Sequence, residues 1–224
     1  RPFSIFQARN GELGVFFQVA GRGTARLAGL RPGDKVRVTG PLGRGFVFAP
    51  DKSVLLLAGG MGLAPFWSYA ERHSAAGDLR LLFGHRMPLD CYPYALVRNL
   101  IRAEHFMERT PEDRTAFLRR TQAEMEEQAR QGGLTLACGP TPFLRTVQSW
   151  AICHGVETQI SLENSMACGV GACLGCVVKT LPEQTGGQGA KHAPPPEFHQ
   201  GLPVSSCRCG PVFWADAVDL TEAG

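Results

Sequence analysis

The stretch "SVLLLAGGMGLAPF", residues 53–66, carries the fold. Its first half is a near-continuous apolar run, the pattern of a strand buried on both faces. Gly59-Gly60-Met61-Gly62 interrupts the run, and Pro65 sits early in a helical stretch reaching about His73. The same rhythm continues downstream. "LRLLFG" (79–84), "LTLAC" (134–138) and "VETQIS" (156–161) are strand candidates. "PEDRTAFLRRTQAEMEEQARQ" (111–131) reads as a long helix rich in charged pairs, and "TPFLRTVQSWAICHG" (141–155) as a helix opened by Thr141-Pro142 and ended by Gly155. Strands alternating with helices predict a parallel sheet with crossover helices, and ligands beyond the carboxyl ends of the strands.

Two different regions flank this α/β unit. Residues 1–50 read as β: "RPFSIFQA", "LGVFFQVAG" and "DKVRVTG" are separated by "RNGE", "GRGT" and "RPGD", with a short helix around "ARLAGL". They predict part of a small barrel or sandwich. Because the chain opens on Arg1 directly into strand-like sequence, an N-terminal portion preceding it is expected. Residues 161–224 hold most of the cysteines, interrupted by "PEQTGGQGAKHAPPPEFHQGLP" (182–203), which is rich in Pro, Gly and Gln and is expected to be an exposed loop. The expected domains are therefore 1–50, 51–160 and 161–224.

Composition excludes several classes. A chain of 224 residues with 44% hydrophobic and 19% charged content is an ordinary globular one. A net charge of +3 without like-charge blocks argues against nucleic acid or an anionic membrane as partner. The longest apolar stretch is broken by Gly and Pro and is too short to span a bilayer. A secretory signal is not expected. Eight cysteines could suggest disulfides, but Cys91, Cys138 and Cys153 are single and five crowd the last third. Metal binding or redox chemistry in a reducing, cytoplasmic setting fits that distribution better.

Cys168, Cys173 and Cys176 have C-x4-C-x2-C spacing, with Cys207 after thirty intervening residues. That is the plant-type spacing for a [2Fe–2S] cluster. Gly169 and Gly171 let backbone N–H groups turn inward to the sulfurs. Structural zinc more often uses paired C-x2-C units, which only Cys173–Cys176 supplies unless Cys207-Arg208-Cys209 acts as a second, tight pair. Spacing leaves Cys207 and Cys209 both open as fourth ligand. At the carboxyl ends of two strands, Gly59–Gly62 and Cys138-Gly139-Pro140 would share one edge, where a dinucleotide phosphate could meet helical N–H groups. Arg1, Phe3 and Ser4 offer a phosphate partner, a stacking ring and a hydroxyl, and Thr24 in "GRGT" could hold a pyrophosphate. An edge strand and an exposed turn are the plainer readings of those two pieces.

Taken in order, "RPFS", "GRGT", "LRPGDKVRVTGPLGRGF", "AGGMGLAP", "ACGP" and "SLENSMACGVGACLGC…CRCGPVF" resemble the ferredoxin–NADP reductase superfamily. Within it they look like the electron-transfer subunits of class 1B dihydroorotate dehydrogenases. The resemblance implies a flavin-binding β-barrel, N-terminally incomplete, an α/β nucleotide-binding domain and a small iron–sulfur segment. It implies that Arg1, Pro2, Phe3 and Ser4, the strand around Phe17, Gln18 and Val19, and Gly23-Thr24 contact FAD. Gly59, Gly60, Met61, Gly62, Gly139 and Pro140 would contact NAD, with Ser4 near the isoalloxazine and Cys138 near the hydride-transfer position as the catalytic pair. Its last cluster ligand lies three residues before the Gly of "GPVF", which makes Cys207 the fourth ligand beside Cys168, Cys173 and Cys176.

The resemblance further implies a separate dihydroorotate dehydrogenase catalytic subunit, in a heterotetramer with both subunits in duplicate. Electrons would pass from it through the cluster and FAD to NAD⁺, in pyrimidine (UMP) biosynthesis. No residue in this chain looks like a base for oxidising dihydroorotate. The 182–203 loop and a helical segment from about Ala103 to Gln131 are longer than the family pattern. Arg86, after "LFGH", reads as a solvated arginine, with a 2′-phosphate contact as its alternative. Two other readings share some of these features: the NAD(P)H-flavin subunit of a hydrogenase or similar oxidoreductase, and a zinc-stapled binding module.

Overall fold

A computed structural model describes residues 1–75, 77–181 and 202–220. Its strands are β1 (Gln7–Arg9), β2 (Glu12–Gly14), β3 (Val54–Gly59), β4 (Leu79–His85), β5 (Arg102–Met107), β6 (Leu134–Cys138), β7 (Glu157–Ser161), β8 (Val177–Lys179), β9 (Pro203–Ser205) and β10 (Val212–Trp214). Its α-helices are α1 (Arg22–Ala28), α2 (Ala64–His73), α3 (Tyr94–Arg98), α4 (Pro111–Gln131), α5 (Thr141–His154) and α6 (Ser206–Cys209).

A six-stranded sheet in the order β10-β7-β6-β3-β4-β5 forms the core. The pairs β7–β6, β6–β3, β3–β4 and β4–β5 are parallel, and β10 joins β7 antiparallel. Every residue of β3 is buried because successive side chains point to opposite covered faces. Val54, Leu56 and Ala58 pack with Phe66, Tyr69 and Ala70 of α2. Leu55 and Leu57 pack with Phe117 and Met125 of α4 and with Phe143, Leu144 and Val147 of α5. Strand order reverses direction between β3 and β6, which places the topological switch point at Gly59 and Cys138.

The helix boundaries follow local chemistry. Thr110 caps α4: its hydroxyl accepts from the Asp113 N–H at 3.2 Å, and the Asp113 carboxylate accepts from the Thr110 N–H at 3.0 Å. Gly155 ends α5 in the left-handed region, φ 67°.

Three elements differ from the sequence reading. The segment from Ala103 begins as a strand, β5, and turns helical only at Pro111. Its "RAEHFM" is an edge strand with polar residues on the open side, so the buried-strand pattern is missing. The "GPVF" end supplies β10, so the 161–224 segment contributes a strand to the sheet that residues 51–160 build. "DKVRVTG" forms no ladder among the described residues, and Val36 and Val38 stand exposed beside no partner strand.

In the first fifty residues, Asn10 and Gly11 both take positive φ and close the β1–β2 hairpin, as a two-residue Asn-Gly turn requires. The region docks on the sheet unit through rings and hydrogen bonds. Phe6 stacks on Trp67 with centroids 6.0 Å apart, Phe46 on Phe66 at 5.4 Å, and Tyr69 donates its hydroxyl to the Val47 carbonyl at 3.0 Å. The Val47 N–H in turn donates to the Gln159 side chain at 2.9 Å. Apart from Leu202 and Pro203, the expected 182–203 loop lies outside the described residues. Among the described residues no helix is long and apolar enough to cross a membrane.

Candidate metal centre and nucleotide edge

At the switch point the two glycine turns are in direct contact. A Cβ on Gly62 would lie 2.1 Å from the Cys138 carbonyl oxygen, and one on Gly59 would lie 2.9 Å from the Pro140 ring. No slot remains between the turns, so a ligand can reach them only by lying across the edge they share. Cys138 is buried at the end of β6. Burial first, and the Glu163 carboxylate second, push its thiol up to about 12 against a hydrogen bond from Ser161. Met61 is half-buried and packs against the core below the edge.

The N-terminal residues gather in part. The Arg1 side chain lies against Gly23, where a Cβ would be 3.6 Å from Nε. Phe3 and Phe17 form a tilted ring pair with centroids 5.5 Å apart. Pro2 and Val19 are exposed, and Ser4 is half-buried in the same segment. Gln18 reaches instead toward the loop after β4, with its amide 3.7 Å from the Met87 sulfur. Thr24 accepts from the N–H groups of Ala20 and Gly21 at 2.9 and 3.1 Å and donates to the Gly21 carbonyl at 3.0 Å. Its hydroxyl is spent closing the turn. Arg86 is exposed, as the plainer reading of it expected.

The four candidate thiols fall into two pairs. Cys168 accepts from the N–H groups of Val170 and Cys173 at 3.5 and 3.4 Å. Those two bonds, then the Cys173 thiol, hold Cys168 down to about 6. Cys176 and Cys207 are buried and hydrogen-bonded to each other. Burial pushes both up; in Cys176 the Cys207 and Ser206 donors outweigh it and leave the thiol lowered, while Cys207 stays raised. Cys207 also feels Cys168 and accepts from the Gly171 N–H, so the two pairs face one another. Gly169 and Gly171 take φ of 72° and 80°, and Leu174 is also left-handed at 53°. Among the described residues no three His, Cys, Asp or Glu side chains converge on one metal ion. Two facing thiol pairs, with N–H donors already turned to sulfur, fit a two-iron cluster that takes two thiolates per iron.

A scaffold joins the two sites. Leu162, just past β7, donates its N–H to the Pro211 carbonyl at 2.9 Å. Asn164 reaches the Ser206 hydroxyl at 3.4 Å, and Ser206 donates to the Cys176 carbonyl at 3.0 Å. Gly43 and Arg44, from the N-terminal region, pack on Gly210 and Pro211 beside the cysteines. The sequence gives little sign of Ser161, Glu163, Asn164 or Ser206 as site residues, since single polar residues have no spacing to read.

Comparison with known proteins agrees with this geometry. Residues 163–193 match the family described as the iron–sulfur cluster binding domain of dihydroorotate dehydrogenase B. The chain is 33% identical over 218 residues to the dihydroorotate dehydrogenase B (NAD(+)) electron transfer subunit of Caldanaerobacter subterraneus subsp. tengcongensis, covering 97% of this chain and 80% of that one. It is 32% identical over 186 residues to the subunit of the same name from Desulforamulus reducens, covering 80% and 70%. Among solved structures, the NADH-dependent reduced ferredoxin–NADP oxidoreductase superposes with a TM-score of 0.68 at 22% identity, over 94% of this chain and 70% of that one. The fold is therefore that of the ferredoxin–NADP reductases, with an iron–sulfur segment at the C-terminal end. With a relative this similar aligned along nearly its whole length, the chain belongs to the family of dihydroorotate dehydrogenase B electron transfer subunits.

Proposed function

We propose that this chain carries electrons from a dihydroorotate-oxidising catalytic subunit to NAD⁺ through a [2Fe–2S] cluster and FAD, in cytoplasmic pyrimidine (UMP) biosynthesis. The observation that carries the reading is the pair of facing thiol pairs, Cys168/Cys173 and Cys176/Cys207, beside a ferredoxin–NADP reductase fold. Residues 1–50 serve FAD, 51–160 serve NAD, and 161–224 hold the cluster. The partner is a dihydroorotate dehydrogenase catalytic subunit, in a heterotetramer with both subunits in duplicate, and this chain has no dihydroorotate-oxidising site of its own.

A flavin exchanges a hydride with nicotinamide and single electrons with an iron–sulfur cluster, which is why the two groups occur together. The chain's residues bind and orient. Cys168 and Cys173 hold one iron, and Cys176 and Cys207 the other. The Arg1 guanidinium, lying against Gly23, takes the FAD phosphates. Thr24 shapes the turn through its own hydrogen bonds, so phosphate contact there falls to Arg1 and the backbone. The NAD diphosphate lies across the edge made by Gly59–Gly62 and Gly139-Pro140, where side chains are absent and backbone can approach. Cys138, with its thiol pushed up to about 12, stays protonated at physiological pH and forms a neutral floor beside the nicotinamide.

Co-purification of the full-length chain with its catalytic partner provides the test. Flavin bands, a dithionite-bleached visible envelope and dihydroorotate-dependent NAD⁺ reduction are expected. A colourless protein with stoichiometric zinc would sink the proposal.

A further inference from the structure

Cys176 and Cys207 lie on different chain segments, and something must hold them at one iron. Cys176 precedes β8 and Ser206 follows β9, while Val177 and Ser205 face each other as the last rung of that ladder. One residue further on, Ser206 continues the pairing with both of its donors. Its N–H and its hydroxyl both donate to the Cys176 carbonyl, at 2.9 and 3.0 Å. The same hydroxyl and N–H stand within hydrogen-bonding reach of the Cys176 sulfur. The side chain of Ser206 is fully buried, at 0% exposure, so no water substitutes for these bonds. Asn164 supplies a further contact, its amide donating to the Ser206 oxygen at 3.4 Å. Asn164 lies three residues past Ser161, which bonds Cys138 at the nucleotide edge.

We propose that Ser206 is the positioning residue of the cluster. It fixes the Cys176/Cys207 pair and ties it through Asn164 to the strand that ends at the nucleotide edge. The proposal rests on the cluster reading above. A buried hydroxyl beside a ligand sulfur stabilises the more negative, reduced cluster, because hydrogen bonds to the sulfurs help set the potential. Removing it makes the cluster harder to reduce.

The test uses the full chain loaded with FAD and its cluster, as parent, Ser206→Ala, Asn164→Ala and Val204→Ala. Val204 is a buried residue of the same hairpin and serves as a packing control. Iron and sulfide content, the electron paramagnetic resonance spectrum of the reduced cluster and its midpoint potential are read for each. Ser206→Ala is expected to keep its iron but shift the potential to more negative values and alter the resonance. Asn164→Ala should give a smaller shift of the same sign, and Val204→Ala none. Ser206→Ala at the parent's potential and spectrum, or Val204→Ala shifted equally, overturns the proposal. Should Ser206→Ala take up no iron, Asn164→Ala decides: a shift supports the proposal, the parent's potential overturns it. A parent without iron and sulfide removes the cluster reading itself, and this inference with it.

Discussion

At Gly62 a Cβ would stand 2.1 Å from the carbonyl oxygen of Cys138, whereas at Gly171 the glycine answers a backbone φ of 80°. The first glycine is demanded by backbone neighbours that cannot move, whereas the second is demanded by the direction its loop must turn, its close neighbour being the Arg208 side chain at 2.5 Å. Around Gly62 every element is packed: β3 and β6 are buried along their lengths and the turn sits against them. Around Gly171, Val170, Ala172, Cys173 and Leu174 are exposed, and the order comes from N–H groups bonded to sulfur. The edge formed by Gly59–Gly62 and Cys138-Gly139, where we propose that NAD binds, is built by the core. In the cysteine loop the sulfurs themselves organise the backbone around them.

Removing a ligand gives the largest effect and the plainest way to break this contrast. Cys207→Ser should abolish the cluster, and Cys209→Ser should leave iron and sulfide content near the parent value. Both variants should keep the melting transition of the sheet unit. A sheet that melts together with the empty loop would show that the two regions form one cooperative unit, and equal iron loss in both would contradict the choice of Cys207.

Thiol reactivity in the metal-free chain sharpens the same contrast chemically. Cys168, held down to about 6, is mostly thiolate at neutral pH, while Cys138, pushed up to about 12, is not. Near neutrality the thiolate fractions differ by about 10⁵, and the lower nucleophilicity that goes with the lower pKa takes back part of that, leaving roughly a hundredfold rate difference before access is counted. Alkylation of Cys168 should therefore rise as pH climbs through about 6 and level off above it, with Cys138 unmodified throughout. Mass spectrometry of digests from pH-stepped alkylation reads both sites, and labelling of Cys138 at neutral pH in the folded chain would contradict a closed edge.

The same division explains what the sequence makes legible. The buried strands and capped helices announce themselves because each is specified locally, as with Thr110, Pro111 and Asp113 at the start of α4. Cys168, Cys173 and Cys176 stand out as candidate ligands because metal spacing is a linear code, whereas spacing alone leaves Cys207 and Cys209 both open. Edge strand β5 is not, since one side faces solvent and its polar residues mask the alternation. Ser206 and Asn164 are not either, because their meaning depends on a contact across 42 residues that no local pattern encodes. Thr24 was legible as a turn residue, but only its hydrogen bonds reveal that the hydroxyl is already used.

The smallest effect separates packing from conformation within the nucleotide edge itself. In Gly62→Ala the new methyl meets the Cys138 carbonyl oxygen at 2.1 Å, its carbon at 2.4 Å and the Gly139 nitrogen at 2.7 Å, all of them backbone. Nothing there can rotate away, so β6 and the turn must part, at a cost of about 1–3 kcal/mol as for other overpacked cores. In a chain of this size each kcal/mol lowers the melting temperature by about 2–4 °C. Gly60→Ala meets no atom within 4 Å, but Gly60 has φ of 53°. Its cost is conformational, about 1–2 kcal/mol, and it leaves the neighbouring turn in place. Both variants should keep full iron content, since neither touches the cysteine loop. Their difference should appear in NAD⁺ binding, where Gly62→Ala displaces Cys138-Gly139 and weakens it more than Gly60→Ala does. Equal binding in the two variants would mean that close approach of the two turns is not what shapes the edge.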